Sequence, residues 1–580
     1  MLEDKDLISV QEVRCKVAKA YEAWQRYRTY TQDQVDAIVE HAAAAARQNA
    51  CRLAELAVEE TGYGNARDKL AKNLLCCDLL PRKMRGMKTV GVIRELPEER
   101  MVEIAVPVGV VAAILPTTNP TSTAIYKSLI ALKAGNAIVL SPHPNAKRCT
   151  CETADVVYRA ALEAGAPEDI VQCIAVPSLE GTSALMRHER TGVILSTGGH
   201  GIVKAAYSSG KPAFGVGPGN VPVLIDASAD IADAIAKVVE GKSFDFGTLC
   251  SSEQSVVAEH SLRESILAEL KSRQAHICDA GQKEALARLL FTRNFTVNPQ
   301  CVGQPANRIA EMAGFSVPPG TPILAAEIEG VGKQYPLSAE KLSPVLSLLF
   351  VKDFTAAVET CRGILRFGGL GHTCVIYSQD DARIRHYALE MPSMRVLVNT
   401  PAPQGSTGIT TNVFPAMTLG CGAMAGNITS DNIGPQHLMN IKRLAYAVRK
   451  PEEAFTIPPD AARTRTPDKP AAVSKADIGS AVARYLAKRG IGMAGPEIAN
   501  PAAQAVDRFL AKRTAAPASS RPSAAPSPPP DPPPVPVDFV CENDVRQAMQ
   551  TARKIHIHRK TIVTPAARDL AAQSDILVEP

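Results

Sequence analysis

Between residues 108 and 226 the chain alternates short, uniformly apolar runs with longer runs of helical spacing. VGVVAAILP (108–116), NAIVLSP (136–142), GVILSTGG (192–199) and VPVLID (221–226) are each about strand length and run into turn residues. They lack the polar alternation of a half-exposed strand, as expected for strands covered on both faces in a parallel sheet. Between the first two, STAIYKSLIALKAG (122–135) has helical spacing and a terminal glycine. This alternation predicts an α/β fold with a doubly wound nucleotide-binding sheet. The dense globular pattern extends over residues 1–450, and residues 11–47 run directly into core-like helices without a separate extra helix before them.

Past residue 450 the pattern breaks. Residues 514–537 hold ten prolines, a composition that reads as an extended linker rather than a core. Before it, AVARYLAKRG (481–490) and AVDRFLAKRT (505–514) agree at seven of ten positions, 24 residues apart. Ile478, Val482, Tyr485 and Leu486 form one apolar stripe, and Ala502, Val506, Phe509 and Leu510 the other. Two short amphipathic helices on a tether either pack back on their own core or dock into a partner's groove, where duplication raises effective concentration. Beyond the linker, residues 553–571 read as a strand followed by a helix opening at Thr564-Pro565, with proline at its favoured first position. His556 and His558 share one face of that strand, as surface histidines or as a pair of metal ligands.

Composition excludes more than it selects. A chain of 580 residues is long enough for several domains. Its net charge of +5 is spread without a basic block, so neither nucleic acid nor an anionic membrane is indicated. MLEDKDLISVQEVRCKVAKA at the start lacks the apolar region of a secretory signal, and no apolar run is long enough to span a bilayer. The 14 cysteines, including Cys76-Cys77 and Cys149-x-Cys151, match neither a zinc spacing nor a compact disulfide framework, so no metal site is expected and a reduced, cytosolic protein is.

One cysteine stands apart by its neighbours. Most free cysteines are small buried hydrophobes, but Cys250 in SFDFGTLCSSEQS (243–255) follows, in order, PTTNPTSTAIYKSLIALKAGNAIVLSPHP (116–144) and STGGHGIVKAAYSSGKPAFGVGPGN (196–220), and precedes EKLSPV (340–345). Together these stretches resemble the aldehyde dehydrogenase superfamily, most closely its CoA-acylating branch, over roughly residues 10–445. The resemblance implies a Rossmann-like cofactor domain, an α/β catalytic domain and an oligomerisation arm. Cys250 matches the family nucleophile, which adds to an aldehyde carbon, and Asn119 matches the side-chain donor to the oxyanion that results. Thr197, Gly198 and Gly199 match the turn beside the cofactor pyrophosphate, and Glu340 the glutamate that binds the nicotinamide ribose. Pro116, Thr117, Ser141, Pro142, His143 and Gly217 are the other positions the resemblance assigns to the cofactor. Ser141-Pro142-His143 stands where many relatives carry a lysine, which favours NAD over NADP. His372 matches a histidine of the acylating branch; it reads as an acceptor of the CoA thiol proton, as a wall of the CoA channel, or as a satisfied core histidine.

Hydrolytic relatives carry a glutamate about 35 residues before the cysteine. The corresponding segment here is GVGPG (215–219), with Gly215 at that place, so the acyl-enzyme is expected to wait for the thiol of coenzyme A instead of water. Phe244–Leu249 and residues 399–412 are the expected walls of the aldehyde pocket; small and moderately apolar, they suit propionaldehyde or acetaldehyde without choosing between them. The expected organisation is an NAD/CoA-binding domain with oligomerisation segments (1–240), a catalytic domain with the C-terminal arm (241–450), a tether with the repeated helices (451–513), the proline-rich linker (514–537) and a small terminal interaction segment (538–580). The resemblance further implies a homodimer or homotetramer. An acylating dehydrogenase with amphipathic peptides on a Pro/Ala tether is similar to the aldehyde dehydrogenases of bacterial microcompartments, and TIVTPAARDLA (561–571) is similar to short segments of other proteins associated with them. The expected location is therefore a microcompartment lumen, with shell or cargo proteins as partners of the tail. The alternatives are a free cytosolic enzyme of the same activity and a non-catalytic assembly protein on the same scaffold.

Overall fold

The four apolar runs are strands, Val110–Ile114, Ala137–Ser141, Thr191–Thr197 and Val221–Ile225, in a computed structural model that describes residues 4–292 and 295–455, Ser480, Arg484 and most of 537–578. Three of them join Val171–Cys173 and Ala213–Val216 in a parallel five-stranded sheet. Val110–Ile114 lies at its centre, and the chain winds outward first to one side and then to the other. The sheet thus has a topological switch point between Val110–Ile114 and Thr191–Thr197, where an open α/β sheet offers a crevice at its carboxyl edge.

Helix Pro120–Lys133 covers this sheet, and all its residues are buried. Lys127 survives there because its Nζ donates to the carbonyls of Ile114 at 2.7 Å and Leu195 at 2.9 Å, on the two strands that flank the switch point, while burial pulls its pKa well down. The core around it joins these strands to helices Lys5–Tyr27 and Gln32–Gln48.

Val221–Ile225 does not continue the first sheet. It pairs with Glu253–Glu259 and Gly371–Tyr377 in a second, seven-stranded parallel sheet. The expected boundary at residue 240 therefore falls inside the second sheet's layer. Local pattern cannot tell which sheet an apolar strand joins, because buried parallel strands read alike. Residues 91–96, 101–107 and 439–445 form a separate antiparallel sheet that leaves Val92, Ile441 and Leu444 exposed. The cysteines are not all reduced: Cys151 on helix Lys147–Glu163 is bonded to Cys173 on the edge strand Val171–Cys173.

The chain divides into Met1–Thr456 and Ile457–Pro580. In the second unit, strands Val537–Val540, Ile555–Val563 and Leu577–Val578 are parallel, with helices Glu542–Thr551 and Pro565–Ala571 between them in sequence. Strand and helix fall where residues 553–571 predict them. Val540, Val545, Ile557, Ala567 and Ala571 make its core. Apart from Arg484 and Val537, the repeated helices and the proline-rich linker lie outside the described residues.

Candidate active site

A cavity of about 640 Å³ opens at the switch point of the first sheet. Its wall is built from residues at or just past the strand ends: Pro116, Thr117 and Asn119 after Val110–Ile114; Ser141, Pro142 and His143 at the end of Ala137–Ser141; Thr197, Gly198 and Gly199 at the end of Thr191–Thr197; and Gly217 after Ala213–Val216. Cys250 and Glu340 close it from the second sheet's side. All the candidate residues except His372 thus line one cavity. Gly199 precedes helix His200–Tyr207 without a side-chain cap, and a Cβ at Gly199 or Gly217 would meet nothing within 4 Å. Uncapped N–H groups beside free space suit a pyrophosphate, so the residues fit a dinucleotide.

Cys250 sits just before strand Glu253–Glu259, after a turn in which Asp245 and Phe246 take φ of +47° and +53°. Two consecutive non-glycine residues in the left-handed region cost on the order of 1–3 kcal/mol each, and such strain persists only where the surroundings hold it. His372 lies behind the wall, with Nε2 3.2 Å from Cys250 Sγ. Its Nδ1 is 3.0 Å from Thr373 Oγ1, and its carbonyl accepts from Arg395 at 2.8 Å. Burial, reinforced by Arg395, pulls the imidazole down to about 3, so it is neutral. Burial, with Glu340 adding in the same direction, pushes the Cys250 thiol up to about 12. Gly219 is needed where these groups meet: a Cβ there would overlap the Cys250 carbonyl oxygen and press on the His372 ring.

Glu340 accepts the Gly219 N–H at 3.0 Å, and burial raises it to about 8. Among the described lining residues it is the one carboxylate. Gly215 is not in the wall: it lies in strand Ala213–Val216, bonded to the Tyr207 hydroxyl, and Val216 and Gly217 take the positions facing the cavity. Of the expected aldehyde-pocket stretches, only Thr248, Leu249 and Thr407 reach the wall. Tyr63 and Val302 also line it, although no sequence motif marks them, as does Leu342 of the EKLSPV stretch.

Sequence reading also missed the groups behind Asn119. Although Asn119 starts helix Pro120–Lys133, its side chain does not cap that helix. Its Oδ1 accepts from Lys72 Nζ at 2.5 Å, and its Nδ2 donates to Thr118 Oγ1 at 3.0 Å. Lys69 and Lys72 are spaced to share one face of helix Ala66–Leu74, the only sequence trace of this arrangement, and paired lysines on a helix ordinarily read as solvated.

The profile of the aldehyde dehydrogenase family matches residues 5–287. The chain is 44% identical over 442 residues to the bifunctional aldehyde-alcohol dehydrogenase AdhE of Escherichia coli, covering 75% of this chain and 50% of that one. The chain thus spans about half the length of such curated relatives. It is 36% identical over 439 residues to the succinate-semialdehyde dehydrogenase (acetylating) of Clostridium kluyveri, covering 76% of this chain and 96% of that one. Among solved structures it superposes on an acetylating aldehyde dehydrogenase from Geobacillus thermoglucosidasius with a TM-score of 0.76 and 49% identity, over 77% of this chain and 99% of that one. A propionaldehyde dehydrogenase from the fucose utilisation microcompartment of Clostridium phytofermentans gives 0.68 and 28%, over 75% and 97%. With a cysteine and an asparagine lining a cavity at the switch point of a doubly wound sheet, and with this likeness over nearly the full length of monofunctional relatives, the chain belongs to the aldehyde dehydrogenase family.

Proposed function

We propose that the chain catalyses NAD-dependent, CoA-acylating oxidation of a short uncharged aldehyde, with Cys250 as nucleophile. The observation that carries this is a thiol in a dinucleotide-sized cavity whose one described carboxylate, Glu340, is engaged by the Gly219 N–H. No other side chain of the described wall is a carboxylate base for water, which supports a thioester that awaits a better nucleophile. Cys250 Sγ adds to the aldehyde carbon as its proton leaves to solvent; an S–C bond forms and the carbonyl π pair moves onto oxygen beside the Asn119 amide. NAD bound along the switch-point wall supplies the hydride acceptor. As the carbon loses hydride with its electron pair, the C=O bond re-forms and leaves a thioester on Cys250. The CoA thiol adds to it, loses its proton, and releases Cys250 as a thiolate that is protonated again. The sum is aldehyde, NAD⁺ and CoA to acyl-CoA, NADH and one proton.

The described wall has neither lysine nor arginine, and burial lowers its one imidazole, His143. This supports NAD over NADP, and an aldehyde such as propionaldehyde or acetaldehyde over one bearing a carboxylate or sulfonate. The exposed apolar residues of the antiparallel sheet support assembly into dimers or tetramers. A second proposal concerns location: the separate unit Ile457–Pro580 and the likeness to a microcompartment enzyme support packaging in such a shell through the tail.

The test is to follow NADH with NAD and propionaldehyde, with and without CoA. Sustained turnover is expected only with CoA, and Cys250→Ala should abolish it while NAD still binds. Equal turnover without CoA would mean that water reaches the thioester and would overturn the acylating reading.

A further inference from the structure

Helix Ala66–Leu74 carries Lys69 and Lys72 into the protein, where they are 2% and 1% exposed. Two ammonium groups so deeply buried require an anion, and Asp245 is there. Lys69 Nζ lies 3.1 Å from Asp245 Oδ2, and Lys72 Nζ bonds the same oxygen. Thr248 Oγ1 donates to it at 2.5 Å, while Asp245 Oδ1 takes the Asn65 N–H at 2.9 Å. The carboxylate rests on Gly64, where a Cβ would overlap it. The Asp245 N–H in turn donates to Asp68 at 2.7 Å. These contacts hold Asp245 in its left-handed conformation, five residues before the nucleophile.

Lys72 also donates to Thr248 Oγ1 at 3.5 Å and to Asn119 Oδ1 at 2.5 Å. An ammonium can only donate, so it determines which end of the carboxamide faces it. The oxygen is taken, and the NH₂ group of this cavity-lining residue keeps one N–H on Thr118 and the other for an acceptor in the cavity. The opposite orientation would set a carbonyl oxygen against an oxyanion. A cation on the amide oxygen also draws electron density from the nitrogen and makes its N–H a stronger donor.

We infer that Lys72, anchored by Asp245, is a positioning residue that orients and polarises the Asn119 amide toward the oxyanion formed when Cys250 adds to the aldehyde. The inference rests on the reading of Cys250 and Asn119 in the proposed function. Burial lowers Lys72 to about 8 against the opposing pull of Asp245, which leaves the ammonium as the main form at neutral pH.

A double-mutant cycle tests it, read as the rate of the first-turnover NADH burst with aldehyde and NAD in the absence of CoA. Lys72→Met should slow the burst at least about tenfold, and by no more than the roughly 10²–10³ that loss of the donor itself costs. In an Asn119→Ala background the same substitution should change the rate less than about twofold. NAD affinity should stay near that of the parent. Equal losses in both backgrounds, or no loss in the first, would overturn the inference. If Lys72→Met does not fold, Lys72→Gln, which leaves Lys69 paired with Asp245, should show a loss in the parent background and the same non-additivity with Asn119→Ala. The burst needs only Cys250 addition and hydride loss. A parent enzyme with a burst but no CoA dependence therefore fails the acylating reading while leaving the cycle to decide on Lys72.

Discussion

Cys250 and His372 touch at 3.2 Å, yet a thiol near 12 beside an imidazole near 3 keeps its proton. The ligand-free pair is a neutral hydrogen bond, unlike the thiolate–imidazolium pairs in which a charged neighbour lowers the cysteine. Below the thiol pKa the thiolate fraction grows about tenfold per pH unit. Alkylation of Cys250 by iodoacetamide in the ligand-free protein, read peptide by peptide by mass spectrometry, should therefore rise at about that slope from about pH 7 to about pH 10. A plateau below about pH 8 would mean that the thiolate already exists at rest. Cys250 itself was legible from the residues around it in the sequence. Its contact with His372 was not, since 122 positions separate them and no local pattern reports which buried histidine a thiol will face.

At the scale of elements, the decisive segment is the connection from strand Ala213–Val216 to strand Val221–Ile225, which carries the chain from the first sheet to the second. It passes so close to Cys250 and His372 that residue 219 has no room for a side chain. Gly219→Ala should lower turnover by about 10²-fold, because a displacement of about an ångström at the reacting atoms is enough for that. A near-normal rate would show that the connection can yield without moving the sulfur. The apolar strands and the helix after Asn119 were readable from periodicity alone, because burial on both faces leaves no polar position in a strand. The sheet that Val221–Ile225 joins was not, nor was the link from helix Lys147–Glu163 to Val171–Cys173 through Cys151 and Cys173.

For the whole molecule, every described residue of the cavity wall lies in Met1–Thr456. Deleting residues 457–580 should leave kcat within about twofold of the full chain, since no described lining group is lost. If the tail directs packaging, the same deletion should release a fluorescently tagged enzyme from shells made in a host that assembles them. Loss of activity would assign the second unit a part in the site, and retained encapsulation would overturn the packaging proposal.

The sequence by itself determined what depends on neighbours along the chain: the buried strands, the helix starts, the break in composition after residue 450, and the ordered motifs around Asn119, Thr197–Gly199, Cys250 and Glu340. Local periodicity and turn chemistry encode these directly. Only the tertiary structure decided what those residues meet. It turned Lys72, which reads as a surface lysine, into the partner of the Asn119 amide, and gave it Asp245 as counter-ion. A charge is buried only where another element supplies its opposite, and here that element lies 173 residues away.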